Sequence, residues 1–466
     1  MDTRRSFLRR SVAFSVGFAG MNLLMERSGH SIARALTSNA AAGYGELVDD
    51  TDKILNLPAG FSYKVISRSG TKMTDGLLVP GLPDGMAAFH GKNGVTVLVR
   101  NHEINPDWNQ HSPFGSDNSL LASVDKSKVY DLGHGKRPSL GGCTNIVFDT
   151  RTQSVQREFL SLAGTNHNCA GGPTPWGSWL SCEEQEDLAG PEFGDKDHGY
   201  VFEVPAREEI GIETPVPIKA MGRFMHEAVA IDPRTGIVYM SEDKPDGLIY
   251  RYVPEKREVL LAGGKLQALA IVDRKSCDTS NHEGAEQIAR GTKFATKWID
   301  MEDIQSPKND LRYRGFASGA ARFARGEGMW WGGDSFYYAA TIGGRNQKGQ
   351  IWKYTPGKNE GTATEQPGSI ELFVEPNDGR VVENADNLTV SPWGDLFVCE
   401  DGPSTSEAPS NRLLRVSPTG EVSTFAKNAK SDSEFAGVCF SPDGTTMFVN
   451  IQGDGLTLAI KGPWQG

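Results

Sequence analysis

One short pattern recurs along this chain and limits what it can become. An apolar strand runs into a tight turn, usually built on Pro-x-Gly, and a second apolar strand leaves it. The clearest copies are CAGGPTPWGSWLSCEE (169–184), EAVAIDPRTGIVYMSED (227–243), DNLTVSPWGDLFVCED (386–401) and AGVCFSPDGTTMFVNIQ (436–452). Proline presets φ at one turn position, and glycine accepts the left-handed conformation at another. The flanking Val, Ile, Phe, Tyr and Trp favour strands. Residues 144–159 (TNIVFDTRTQSVQREF) form a weaker copy without the proline. Such repetition predicts an all-β fold, a six-bladed β-propeller with long inter-blade loops and minor helical insertions. A β-sandwich with insertions is the structural alternative. Residues 270–325 are charged and less strand-like, which predicts an insertion with some helix.

The ends of the hairpins carry the chemistry. Six residues before each turn proline stand Cys169, Glu227, Asp386 and Ala436. Six residues after each turn glycine stand Glu183, Glu242, Glu400 and Asn450. Both strands of a hairpin rise about 3.3 Å per residue, so residues equally far from the turn meet at its open end. The count therefore pairs Cys169 with Glu183, Glu227 with Glu242, and Asp386 with Glu400. If the hairpins are blades, all pairs share one rim. Glu327 falls in the same register before Gly333, and Arg325 lies two residues ahead of it. Glu103 ends the strand GVTVLVRNHE, Glu434 precedes the last hairpin, and Asn387, Asp401 and Asp243 flank their partners. Crowded carboxylates raise one another's pKa and repel. Bound cations remove that cost. Oxygen donors suit hard ions such as Ca²⁺ or Fe³⁺, and a thiolate favours a transition metal. Any one of these acids, taken alone, reads as a solvated strand end; the matched pairs carry the metal reading. His102, His167 and His226 touch the same motifs and read as hydrogen-bonding partners.

Other classes are excluded or weakened. A net charge of −11 argues against a nucleic-acid partner. No HExxH, Walker-type phosphate loop or GxSxG is present. The N-terminus reads Thr3-Arg4-Arg5-Ser6-Phe7-Leu8-Arg9 and continues into an uncharged stretch over residues 11–25. This predicts a twin-arginine signal peptide over residues 1–40, followed by a single propeller domain over 41–466. The protein is then periplasmic or secreted and meets the twin-arginine translocation machinery; an uncleaved membrane anchor is the alternative. Six cysteines could pair as disulfides or bind metal.

GTNHNCAGGPTPWGSWLSCEE, GRFMHEAVAIDPRTGIVYMSED, ENADNLTVSPWGDLFVCEDG and EFAGVCFSPDGTTMFVNIQ resemble the PhoX-type alkaline phosphatases. So do the RNHE and GGCTN segments. The resemblance implies a propeller with an iron–calcium cluster (Fe³⁺ and Ca²⁺) that hydrolyses phosphate monoesters. It implies Cys169, Glu227 and Glu327 on iron, and Glu103, Glu183, Asp386, Glu400 and Glu434 mostly on calcium. Arg325 would contact phosphate, with Glu327 and Cys169 beside it in the catalytic set. Glu242, Asn387 and Asp401 complete the expected metal-binding rim. A monomer acting on a phosphorylated small molecule is expected. The chain is shorter than many members of that family, which implies reduced substrate loops. A calcium-dependent propeller lactonase or phosphodiesterase, and a non-catalytic exported ligand-binding propeller, are the alternatives.

Overall fold

The computed structural model describes residues 43–403 and 411–464; the signal segment expected over residues 1–40 lies outside them. Six hairpins organise the described chain. They are β1 (Pro83–His90) with β2 (Val95–His102), β3 (Asn168–Pro173) with β4 (Ser178–Glu183), and β5 (His226–Ile231) with β6 (Val238–Glu242). The others are β7 (Gly326–Gly332) with β8 (Ser335–Ala340), β9 (Ala385–Val390) with β10 (Leu396–Glu400), and β11 (Phe435–Phe440) with β12 (Met447–Ile451).

The first strand of each hairpin is innermost. β1 adjoins β3, and the contacts continue through β5, β7, β9 and β11 back to β1. The result is an all-β, propeller-like arrangement. Further antiparallel strands extend each hairpin outward. Two of them bring the two ends of the described chain together: Ser62–Arg68 pairs with Leu456–Lys461 beside β12, and Leu55–Pro58 pairs with Val422–Asn428.

The sheets do not separate into six. They number five among the described residues, because one sheet spans both β5–β6 and β7–β8. The joint is Lys293–Asp300, inside the segment expected to be an insertion. It pairs on one side with Gly264–Ile271 and on the other with Ser369–Val374. Phe294 and Thr296 are buried along it while Lys293, Ala295 and Lys297 are exposed, the period-two pattern of a strand whose outer face is charged. The expected helix in the same segment is α1 (Leu311–Ser318).

Glycine and apolar side chains close the ring. A Cβ on Gly85 would lie 2.5 Å from Ala170 Cα, and one on Gly328 would lie 2.6 Å from Asp386 O. Trp330 of β7 packs against three separate hydrophobic clusters, built from the β1, β3, β9 and β11 neighbourhoods. Along the axis remains a cavity of about 20 Å³, lined by Gly85, Ala170, Ala228, Gly328, Asn387 and Gly437, one residue from each inner strand. That is room for about one water. Gly328→Ala is expected to cost about 1–3 kcal/mol in urea denaturation through this overpacking. Gly211, with open space around it and an ordinary backbone, is expected to tolerate alanine within about 0.5 kcal/mol.

Candidate metal centre

The inner strands do more than close the ring. In each, the ladder slips by one residue near the open end of the hairpin. The regular pairing stops at Pro83–His102, Asn168–Glu183, His226–Glu242, Gly326–Ala340, Ala385–Glu400 and Ala436–Asn450, and each slip follows it. A bulge of this kind re-aims the side chain at the extra residue. In five strands the residue after the last pair is a metal-type donor: Asp84, Cys169, Glu227, Glu327 and Asp386. In β11 Glu434 enters from just before the strand instead.

The bulges change the expected pairing by one. Equal counts from the turn match Cys169 to Glu183, Glu227 to Glu242 and Asp386 to Glu400, but the extra residue makes the actual partners Asn168, His226 and Ala385. Neighbours along a strand face opposite ways. Glu183, Glu242 and Glu400 therefore turn away from the donors. Each is buried and held by local partners. Glu183 lies 2.6 Å from His198 Nδ1 and accepts the backbone N–H groups of Asn166, Gly199 and Tyr200. Glu242 accepts from Leu248 N and Tyr250 OH, with Arg312 at 3.9 Å. Glu400 takes two hydrogen bonds from the Arg412 guanidinium, at 2.7 and 2.6 Å. These three acids tie down the loops that follow their hairpins, and after the first of them the next residue along, Glu184, joins the donor groups instead.

Four groups of donor atoms gather at this end, each within 4.8 Å. They are Cys169 with Glu184 and Glu227, Glu227 with Glu327 and Asp386, Asp84 with Glu103 and Glu434, and Glu103 with His167 and Glu184. The structure thus brings together Cys169, Glu227, Glu327, Asp386, Glu103 and Glu434 from the expected set. Asp401 adds its charge to Asp386 and Glu434. Asn387 accepts Gly437 N at 2.9 Å and so braces β11 against β9. Asp84, Glu184 and His167 join these groups from outside the expected metal set. Glu184 could have been found by allowing for the bulge. Asp84 lies in a hairpin without the Pro-x-Gly turn. His102 and His226 stay outside the groups: His102 bonds Gly81 O and Thr144 Oγ1, and His226 bonds Gly222 O and stacks on Phe224.

The electrostatics follow from the crowding. Burial, then the charges of Glu184, Asp386 and Asp84, push Glu227 well up. Burial, then Asp243, Asp386 and Glu227, do the same to Glu327. Burial and then Asp401 raise Asp386 to about 7, and burial and then Glu184 raise Glu103 to about 8. Asp84, Glu184 and Glu434 rise for the same reasons. The Cys169 thiol is pushed up by burial and then by Glu227 and Glu184. Arg325 faces this group. It holds both oxygens of Asp243, at 2.9 and 2.8 Å, and Glu327 Oε1 at 2.6 Å. His167 spans Glu103 at 3.0 Å and Glu184 at 3.4 Å.

The donors fit metal ions. Asp84 Oδ1 is buried and has no hydrogen-bond partner. One group includes a thiol, which suits a transition metal, and two are carboxylates throughout, which suit hard cations.

Comparison with known proteins identifies the family. The family described as Alkaline phosphatase PhoX matches residues 42–147 and 133–455. The chain belongs to the PhoX alkaline phosphatase family. Among solved structures, Pseudomonas fluorescens PhoX, in complex with vanadate, is 18% identical with a TM-score of 0.63; the match covers 88% of this chain and 96% of that one. A gluconolactonase from Xanthomonas campestris is 11% identical over 90% and 98% of the two chains, with a TM-score of 0.41. A sequence search of curated proteins finds no match. The PhoX membership supports phosphatase-type hydrolysis.

Two outcomes test the assignments. The raised carboxyls hold protons in the folded chain that the unfolded chain releases, so in metal-stripped protein stability falls as pH rises. The fall should run from about pH 4 to about pH 8, the region between ordinary carboxyls and Glu103; urea midpoints across that range check it, and added cation should flatten it. Second, Glu184→Gln should lower metal content while leaving the melting temperature of the metal-stripped protein unchanged or raised. Glu183→Gln should lower the melting temperature, because it leaves His198 short of a carboxylate. Equal metal loss from both would contradict the one-residue shift.

Proposed function

We propose that this chain is an exported phosphatase that hydrolyses phosphate monoesters at a centre of iron and calcium, carried on a six-bladed propeller. The observation that carries the reading is Arg325, a guanidinium hydrogen-bonded to Glu327 in a group of buried carboxylates that shares Glu227 with the thiol group. The family membership supports phosphate as the substrate. So does the related Pseudomonas fluorescens PhoX, which takes vanadate, a transition state analogue. The ring of six inner strands supports the blade count, although one sheet spans two hairpins. The Arg4-Arg5 leader supports export by the twin-arginine route to the periplasm or beyond.

Cys169, Glu184 and Glu227 would hold iron. Glu227, Glu327 and Asp386 would share the neighbouring ion, and Asp84, Glu103 and Glu434 would hold calcium. When bound, such ions neutralise phosphate oxygens, activate water for attack on phosphorus and stabilise the leaving alkoxide. The chain's own part is to bind and orient. Arg325 Nη1, which bonds neither Asp243 nor Glu327, would meet a phosphate oxygen and the charge that grows on it. Asp243 fixes the guanidinium from behind through two hydrogen bonds, so little side-chain freedom is lost on binding. Glu327, bonded to the same Nη2, couples the arginine to the donor group. Trp330 and the glycine-packed ring close the axis below, which limits water there.

Metal analysis of the exported protein is expected to find both iron and calcium. A chelator should abolish p-nitrophenyl phosphate turnover, and calcium should restore it. Cys169→Ser should lose iron and most activity. Full activity in that variant, or a native protein without either metal, would overturn the proposal.

A further inference from the structure

We propose that Asn101 is the positioning residue that aims Cys169 at its metal, an inference that rests on reading Cys169 as a ligand. Asn101 stands near the end of β2 and is completely buried. Its side chain leaves its own hairpin and reaches the bulge of the next one. Nδ2 donates to the carbonyls of both bulge residues, Cys169 at 3.2 Å and Ala170 at 2.7 Å. Oδ1 accepts from Trp179 Nε1 and Ser181 Oγ, each at 2.9 Å, and from Cys143 Sγ at 3.0 Å.

The arrangement answers a need that the bulge creates. An extra residue takes its backbone groups out of the ladder, and a buried carbonyl must find a donor elsewhere. Carbonyls on one side and N–H, O–H and S–H donors on the other leave a single direction for the amide. Aspartate is the same size but offers no donor, and glutamine is one methylene too long. On another side, a Cβ at Gly85 would come within 2.9 Å of Cys169 O. The Cys169 main chain is thus gripped between Asn101 and Gly85, and the thiol is fixed beside Glu184 and Glu227.

The same grip recurs around the ring. Ser241 of β6 donates to Glu327 O of β7 at 2.8 Å, and Asn450 of β12 donates to Asp84 O of β1 at 2.6 Å. In all three cases the second strand of one hairpin holds the donor-bearing residue of the next. Asn101 is the one that takes two carbonyls, and its residue is the thiol ligand. Partners behind a metal ligand commonly affect affinity about 10- to 100-fold.

Cobalt titration of metal-stripped protein tests this, with the sulfur-to-cobalt absorption band reporting ligation by Cys169. Wild type should give the band and Cys169→Ser should not. Asn101→Asp should bind cobalt about 10- to 100-fold more weakly. Trp179→Phe, which removes one donor to Oδ1 but leaves the grip on Cys169, should lose stability yet bind close to wild type. Wild-type affinity in Asn101→Asp, or equal loss in Trp179→Phe, would overturn the proposal. If Asn101→Asp fails to fold, Asn101→Ser replaces it under the same criteria. If wild type itself gives no Cys169-dependent band, the ligand reading fails separately. The grip is then judged by alkylation of Cys169 with iodoacetamide, which must be faster in the Asn101 variant than in wild type; an unchanged rate rejects it.

Discussion

Each inner strand carries one more residue than the strand it pairs with, and that residue decides where the charge goes. Without it, the acids counted from the turns would face one another across each hairpin mouth. With it, Cys169, Glu227, Glu327, Asp386 and Asp84 leave the ladder and turn to a common region. Each of these groups is costly there, because burial and mutual repulsion both disfavour the ionised form. The fold carries that cost through a ring packed tightly enough to need Gly85 against Ala170 and Gly328 against Asp386. A looser ring would let the carboxylates relax apart and would lose the donor groups.

The acids that do not join the centre show how the cost is confined. Glu183, Glu242 and Glu400 occupy the same place in three hairpins, and each is neutralised locally by His198, Arg312 or Arg412. His198 lies between Glu183 and Asp131. Burial works against its charge, but the two carboxylates outweigh it and raise it to about 10. The chain thus places two acids in succession after three of its hairpins. The first is satisfied by protein and steadies the loop; of the second acids, Glu184 joins two donor groups, Asp243 holds Arg325, and Asp401 adds its charge to Asp386 and Glu434. Strain is placed in the same region. His167, Arg325 and Asn384, each just before an inner strand, hold φ between 50° and 55° without being glycine.

Much of this is legible in the residues themselves. Proline and glycine mark the turns, apolar runs mark the strands, and the recurrence of both implies the ring. Cys169, Glu227, Glu327 and Asp386 are found by counting from those turns, and Glu103 and Glu434 by their places at a strand end and just before a hairpin. The count goes wrong by one at Glu183, Glu242 and Glu400 because a turn fixes register only as far as the ladder stays regular. No residue type announces the bulges: Ala170, Ala228 and Asn387 look like ordinary strand residues. Asp84 is missed because its hairpin turns through Gly91-Lys92-Asn93-Gly94 without proline. The strand at Lys293–Asp300 is missed because its exposed face is lysine-rich, so a charged segment conceals an alternating one.

Charge balance bears on how many ions this site needs. Asp84, Glu103, Glu184, Glu227, Glu327, Asp386 and Glu434 all have raised pKa values, and Asp243 and Asp401 contribute to the field. Against them stand Arg325, already divided between Asp243 and Glu327, and His167 between Glu103 and Glu184. A single divalent cation, as in a one-ion lactonase, would leave most of these carboxyls buried and uncompensated. A phosphate ester would add further negative charge to the same place. Several bound cations of charge two or three would change the sign of the local field, and an anionic substrate would then be attracted to the place where these acids gather. The excess of carboxylates over fixed positive charge therefore favours the proposal of several ions over one, whichever ion each group would take.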